Sequence, residues 1–159
     1  MFKIGDRIAH PMHGAGIIES IDEKKINGQV RQYYILKIPI GGIIVMIPID
    51  NCESIGVRPI IKPDVADQLI NSMPDIKPDM TQNWNRRYRD NMVKIKSGDL
   101  SEVASVVKGL MERDQQKGLS TGERKMLHSA KQILISEIVL SKNMSYEEIE
   151  NKINVALMN

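Results

Sequence analysis

The rhythm of apolar and polar positions changes about a third of the way along the chain. Over the first sixty residues, β-branched and aromatic positions come in short runs punctuated by glycine, at 7–10, 16–24, 30–37, 43–48 and 56–60. Runs of this length bounded by turn residues predict strands. Asn27-Gly28 separates the second and third runs, and a tight primed turn needs positive φ at both its central positions. Gly41-Gly42 predicts a second hairpin. Four or five short strands in so few residues suggest a small, twisted, barrel-like sheet. Such a sheet is thin on core and leaves an edge strand open.

Past Ile61 the pattern turns helical. Pro63, Pro74 and Pro78 mark a connector over 62–80 that holds one short helix at 64–72. From Thr81, the expected N-cap, Trp84, Tyr88, Met92 and Ile95 follow i, i+4, i+8, i+11. Leu100, Val103, Val107 and Leu110 form a second apolar stripe, and Leu127, Ala130, Leu134 and Ile138 a third. Asp99 with Glu102, Ser120 with Glu123, and Ser145 with Glu148 have capping-box spacing. Gly98 and Gly118 sit where helices should end. The fold class expected is α+β by domain: a small β barrel over 1–61, then a compact α-helical bundle over 62–159 with four helices after the connector.

Composition narrows the function. At 42% hydrophobic and 26% charged, the chain has the make-up of a folded soluble protein. Its net charge is only +2, and neither part is a polycation: residues 1–60 carry 7 Lys/Arg against 6 Asp/Glu, and 61–159 carry 15 against 14. Any nucleic-acid surface must therefore be a local patch. Cys52, the only cysteine, has no partner for an internal disulfide. No signal-peptide pattern and no run of about eighteen apolar residues is present, so a reduced, cytoplasmic setting without a membrane is expected.

Catalytic signatures are missing. There is no nucleophile elbow, P-loop or dinucleotide fingerprint. His13-Gly14-Ala15-Gly16 reads as a tight turn rather than an oxyanion loop. His10, His13 and Cys52 do not match zinc-ligand spacings, so no metal, cofactor or small-molecule substrate is expected. Nothing points to an enzyme.

The sole tryptophan falls in the most basic stretch. From Trp84 to Lys96 there are five cations, Arg86, Arg87, Arg89, Lys94 and Lys96, against the single acid Asp90. Aromatic faces stack on bases or wedge between base steps, and Arg clamps phosphates. Trp84 has two readings. Its register with Tyr88, Met92 and Ile95 suits a core residue. Its place in a first helical turn suits a ring projecting past the helix end. Arg87 lies about 60° around the helix from it, so ring and guanidinium could face one target. Arg124, His128 and Lys131, with Lys125 beside them, form a second basic face that ordinary solvated surface also explains.

Several segments together resemble the CarD/CdnL family of transcription regulators. In the β part these are Phe2-Lys3-Ile4-Gly5-Asp6, the 10–16 turn, Tyr34-Ile35-Leu36-Lys37, Ile47-Pro48-Ile49-Asp50-Asn51 and Gly56-Val57-Arg58. In the helical part they are Trp84-Asn85-Arg86-Arg87-Tyr88, Lys96-Ser97-Gly98, 113–120 and 122–127. The likeness covers nearly the whole chain. The β part also resembles the polymerase-binding module of the transcription-repair coupling factor, whose motor domains this chain lacks.

The resemblance implies a Tudor-like β domain that docks on the β subunit of bacterial RNA polymerase. Docking would be edge-on, through Ile43, Ile44, Val45, Met46, Ile47 and Pro48, with Lys24 at a basic contact position. Met46 stands where some members have arginine, which suggests a more apolar contact there. The helical domain would lie on promoter DNA at the upstream edge of the bubble and stabilise the open complex. Trp84 would be its wedge. Arg86, Arg87 and Arg124 match basic positions of the family, and Arg89, Lys94, Lys125 and Lys131 extend the patch. The family has no known catalytic activity. A chromosome-coating protein with a peptide-binding β module, or an RNA-binding accessory factor, is an alternative that the residues leave open.

Overall fold

A computed structural model of the chain describes residues 1–158. Its first part is one five-stranded sheet in the order β4-β3-β2-β1-β5. The strands are β1 (Arg7–His10), β2 (Gly14–Ile26), β3 (Gln29–Ile38), β4 (Ile43–Pro48) and the two-residue β5 (Arg58–Pro59). All neighbours run antiparallel. Asn27 and Gly28 take φ of 53° and 78°, the primed turn that their types favour. β2 slips register between Ile18 and Ser20, and such bulges increase twist. Ile8, Ile18, Tyr34, Leu36 and Ile47 fill the core of this sheet.

The run at 56–60 gives less strand than its pattern predicts. Only Arg58 and Pro59 pair, because the short helix α1 (Cys52–Ile55) leads into them and ends at Gly56 with φ 94°. A proline can occupy this position because β5 lies at the sheet edge.

The second part is helical: α2 (Pro63–Ser72), α3 (Trp84–Lys96), α4 (Leu100–Lys117), α5 (Thr121–Lys142) and α6 (Tyr146–Met158). Proline at the first position of α2 costs no hydrogen bond, since that N–H has no helical acceptor. Ser145 and Glu148 close a reciprocal capping box on α6. Asp99 instead caps the N–H of Ser101, and Ser120 accepts from Glu123 N while the Glu123 carboxylate points elsewhere. Met73 and Pro74 carbonyls, at the end of the connector helix, receive the buried ammonium of Lys108 at 3.1 and 2.8 Å. Among the described residues no helix is long and apolar enough to cross a membrane.

α5 is the spine that joins the two parts. Leu134, Ile135 and Ile138 pack into the helical core, while Leu140 meets Ala9 and Ala15 of the sheet. Its polar residues bond to the β part. Glu137 takes Arg58 in a two-pronged pair at 2.6 and 2.9 Å and also accepts Ile61 N at 2.9 Å. Ser136 Oγ accepts Ala15 N, Ser141 Oγ donates to Ile61 O, and Arg7 donates to Leu140 O. Gly14 takes φ 98° and lies so close to Ser136 that any side chain there would collide with it. The two parts therefore meet through a built, hydrogen-bonded contact rather than a loose linker.

Candidate nucleic-acid and partner interfaces

α3 begins at Trp84, and its cap is Asn83 rather than Thr81. The Asn83 side chain accepts Arg86 N at 2.9 Å. At the first helical position Trp84 remains 42% exposed. Its ring stacks on Tyr88 with centroids 5.2 Å apart and planes 20° from parallel. Its Nε1 donates to Ser120 Oγ at 3.0 Å. One face and the polar edge are thus held, and the residue as a whole stays partly in solvent. The register with Tyr88, Met92 and Ile95 and the projection from the first turn are both real. The stripe starts in solvent at Trp84 and sinks through half-buried Tyr88 and Met92 to buried Ile95.

Arg87 corrects an expectation. It is 1% exposed and cannot reach a DNA backbone without unfolding its surroundings. The buried residues of α3 are Arg87, Asn91 and Ile95, a line that meets the apolar stripe at Ile95. Arg87 Nε and Nη2 donate to the Glu123 carboxylate at 2.8 and 3.2 Å. Nη1 donates to the carbonyls of Thr81 and Gln82. A buried guanidinium is tolerable only when paired and hydrogen-bonded this fully. Burial pushes the Glu123 carboxyl up, but the hydrogen bonds and charge of Arg87, with the charge of Arg113, outweigh it and hold it below the usual carboxylate range. Glu123 also lies 3.4 Å from Ser120 Oγ. A chain of contacts therefore runs Arg87–Glu123–Ser120–Trp84 and fixes the indole from beneath.

The remaining cations of the patch divide. Arg86 and Arg89 are exposed on α3, with Arg86 4.0 Å from Asp90, and Lys94 is half-buried. Arg124 and Lys125 are exposed at the start of α5, close to Gly122, whose Cα faces both Trp84 and Tyr88. Lys131 is a second correction: it is half-buried and donates to Asn154 of α6 at 3.2 Å, so it serves packing between helices.

In the sheet, β4 pairs only with β3 and forms one edge. Ile43, Ile44 and Met46 are exposed, Val45 and Pro48 half-buried. Ile47 belongs to the core, so its side chain is not available to a partner, although its backbone lies on the edge. Lys24 is exposed on the long β2–β3 hairpin, opposite Arg31. Only capping-box spacing marks the interlocking residues Ser120 and Glu123 in the sequence, and it suggests a helix start but not a support for the ring.

Comparisons with known proteins fall on the same two parts. Residues 2–61 match the family model described as CarD-like/TRCF RID domain, and residues 68–154 match CarD, C-terminal domain. The chain is 38% identical over 151 residues to the putative transcription factor YdeB of Bacillus subtilis (strain 168), covering 95% of this chain and 99% of that one. The solution NMR structure of the 72-residue N-terminal domain of Myxococcus xanthus CarD shares 30% identity over 37% of this chain and 79% of its own, with a TM-score of 0.33, too loose a superposition to define a shared fold. With both parts matched in order and a relative aligned almost end to end, the chain belongs to the CarD/CdnL family of transcription regulators.

Proposed function

We propose that this protein docks on the β subunit of RNA polymerase through the β4 edge and stabilises open promoter complexes by setting Trp84 against DNA at the upstream edge of the bubble. The observation that carries the reading is the half-free indole, braced by Tyr88 and Ser120, on a helix that also exposes Arg86 and Arg89 and next to the start of α5, which exposes Arg124 and Lys125. An aromatic ring with one face free can enter a partly unstacked step, and the cations meet phosphate without reading sequence. The β4 edge offers unpaired backbone groups for β-augmentation, bordered by Ile43, Ile44 and Met46, with Lys24 as an added charge.

The energetics favour this division. A patch of so few cations binds DNA non-specifically with a Kd of about 10⁻⁴ to 10⁻⁶ M. Held on polymerase, the helical part would see DNA at roughly millimolar effective concentration, enough for about 90% occupancy of a 10⁻⁴ M site. That gain requires the two sites to be reachable together, and the Arg58–Glu137 contact sets one relative placement in advance.

Trp84→Ala tests the reading. Aromatic–base stacking is worth about 1–3 kcal/mol, so the open-complex lifetime should fall roughly five- to a hundredfold. Binding to polymerase should persist. An unchanged lifetime would remove the wedge from the mechanism.

A further inference from the structure

A slot of about 250 Å³ opens behind the indole, between α3 and α5. Tyr88 and Met92 line it from α3, and Met126 and Ser129 from α5. Met12 reaches it from the turn between β1 and β2. The slot is continuous with the ring pair. Gly122 is part of its lining, and a Cβ on Gly122 would sit 3.7 Å from Trp84 and 3.8 Å from Tyr88. Lys125, exposed on α5, stands in the same lining.

The lining dictates what would fit. Three methionines and one aromatic ring offer polarisable, adaptable walls that suit a flat apolar ring system. The polar groups are few: the Tyr88 hydroxyl, the Ser129 hydroxyl and the Lys125 ammonium. One cation, Lys125, stands in the lining itself, and it calls for a ligand that carries negative charge at the mouth of the slot. A flat ring attached to a polyanionic strand has both properties. Further, a ring driven into a base step partly unstacks it, and a base loosened in this way is more readily extruded if another surface receives it.

We propose that the slot receives a single nucleobase extruded beside Trp84. This rests on the DNA-contact reading and deepens it: Trp84 opens the step and the slot holds what comes out. Methionine walls adapt to different shapes, so the receptor accepts any of the bases, in keeping with a regulator that does not read sequence.

The test uses the full chain and two DNA duplexes, one fully paired and one with a short mismatched bubble, compared by fluorescence anisotropy. Ser129 is exposed, so Ser129→Leu narrows the slot from its rim without entering the core, and Ser129→Ala controls for loss of the hydroxyl. The wild type and Ser129→Ala should prefer the bubble, and Ser129→Leu should lose that preference by roughly fivefold or more. Circular dichroism checks that each variant is folded. If Ser129→Leu keeps the preference while Trp84→Ala loses it, the slot is empty and the wedge stands. Loss in Ser129→Ala as well would overturn an apolar receptor. If Trp84→Ala also keeps the preference, or the wild type shows none, the DNA-contact reading itself fails.

Discussion

β4 and the first turn of α3 offer solvent opposite kinds of surface. β4 presents a backbone edge bordered by apolar side chains of similar character, Ile43, Ile44 and Met46. α3 presents one ring of a kind found nowhere else in the chain, with a buried apparatus beneath it. Backbone recognition spreads affinity over equivalent hydrogen bonds and tolerates side-chain change. Recognition by a single ring concentrates everything in one position and its support. On the proposed docking mode, Met46 could be exchanged at little cost, whereas Trp84 has Tyr88, Ser120, Glu123 and Arg87 arranged around it.

Two Arg–Glu pairs, one fully buried and one with its arginine partly in solvent, give the strongest way to break the comparison. Arg58–Glu137 joins the sheet to α5, and Arg87–Glu123 lies under the indole. Removing one partner of a buried pair costs about 3–5 kcal/mol. Glu123→Ala, which strands the buried Arg87, should lower stability by that order in urea denaturation, and Glu137→Ala should lower it by less, because Arg58 is 32% exposed and reaches water. Only Glu123→Ala should shift the emission of the folded protein, because Trp84 is the sole tryptophan and its hydrogen-bond partner Ser120 contacts Glu123. Glu123→Gln and Glu137→Gln, which keep the shape, provide the same contrast if the alanine variants do not fold. A shift in the Glu137 variants alone would contradict the support chain.

Neighbouring prolines probe the β4 edge. Successive backbone N–H groups along a strand point to opposite sides. Of Val45→Pro and Met46→Pro, one loses its bond to β3 and destabilises the sheet, and the other faces outward. The outward variant should fold and yet bind polymerase about tenfold more weakly, while Met46→Ala should change binding less than about threefold. Equal losses in the outward proline and the alanine variant would mean that side chains, not backbone, carry the contact.

Much of this layout was legible in the sequence, and the misses share a cause. The β-branched runs, Asn27-Gly28 and Gly41-Gly42 placed the hairpins because strand and turn preferences are local. Helix ends were legible for the same reason, from Asp99, Ser120 and Ser145. Arg87 misled because three arginines in a row of four look alike until tertiary packing selects one for burial. Lys131 misled likewise, its partner Asn154 lying on another helix. Glu137, Ser136 and Ser141 lie off the apolar stripe and carry no signal of their own, yet they join α5 to the sheet, because α5 has two packed sides. Trp84 had two open readings, and its partial exposure on top of Tyr88 combines them.

A smaller effect should come from the exposed arginines. Arg86 and Arg89 lie in water, where each phosphate contact adds little affinity but releases counterion. Arg86→Ala and Arg89→Ala should each lower the slope of log K against log salt by about one for DNA binding, uniformly across sequences. Polymerase binding without DNA should not change. A sequence-dependent loss would place one of these side chains in a groove and narrow the contrast between the two surfaces.

The smallest effect concerns the turn between β1 and β2, which touches both regions. His10 is held down at about pKa 4, first by burial and then by the charge of His13, whose ring centroid lies 4.6 Å away. Geometry agrees: His10 Nδ1 accepts Met12 N at 3.1 Å, which a protonated imidazole could not do. Because the folded value lies below the ordinary 6.5, the unfolded chain takes up a proton first as pH falls. Stability should therefore be full above pH 6.5 and decline as pH drops from there toward 4, by at most one extra proton. Glu123 acts in a different window. Its carboxyl is held down, so its contribution is present above 4.5 and lost only as pH falls through the lower folded value. His10→Gln should flatten the stability profile between pH 6.5 and 4.5 and leave the steeper fall below it. A profile equally steep in both proteins would show that the turn takes up its proton without opening, and would assign the acid sensitivity to groups other than His10.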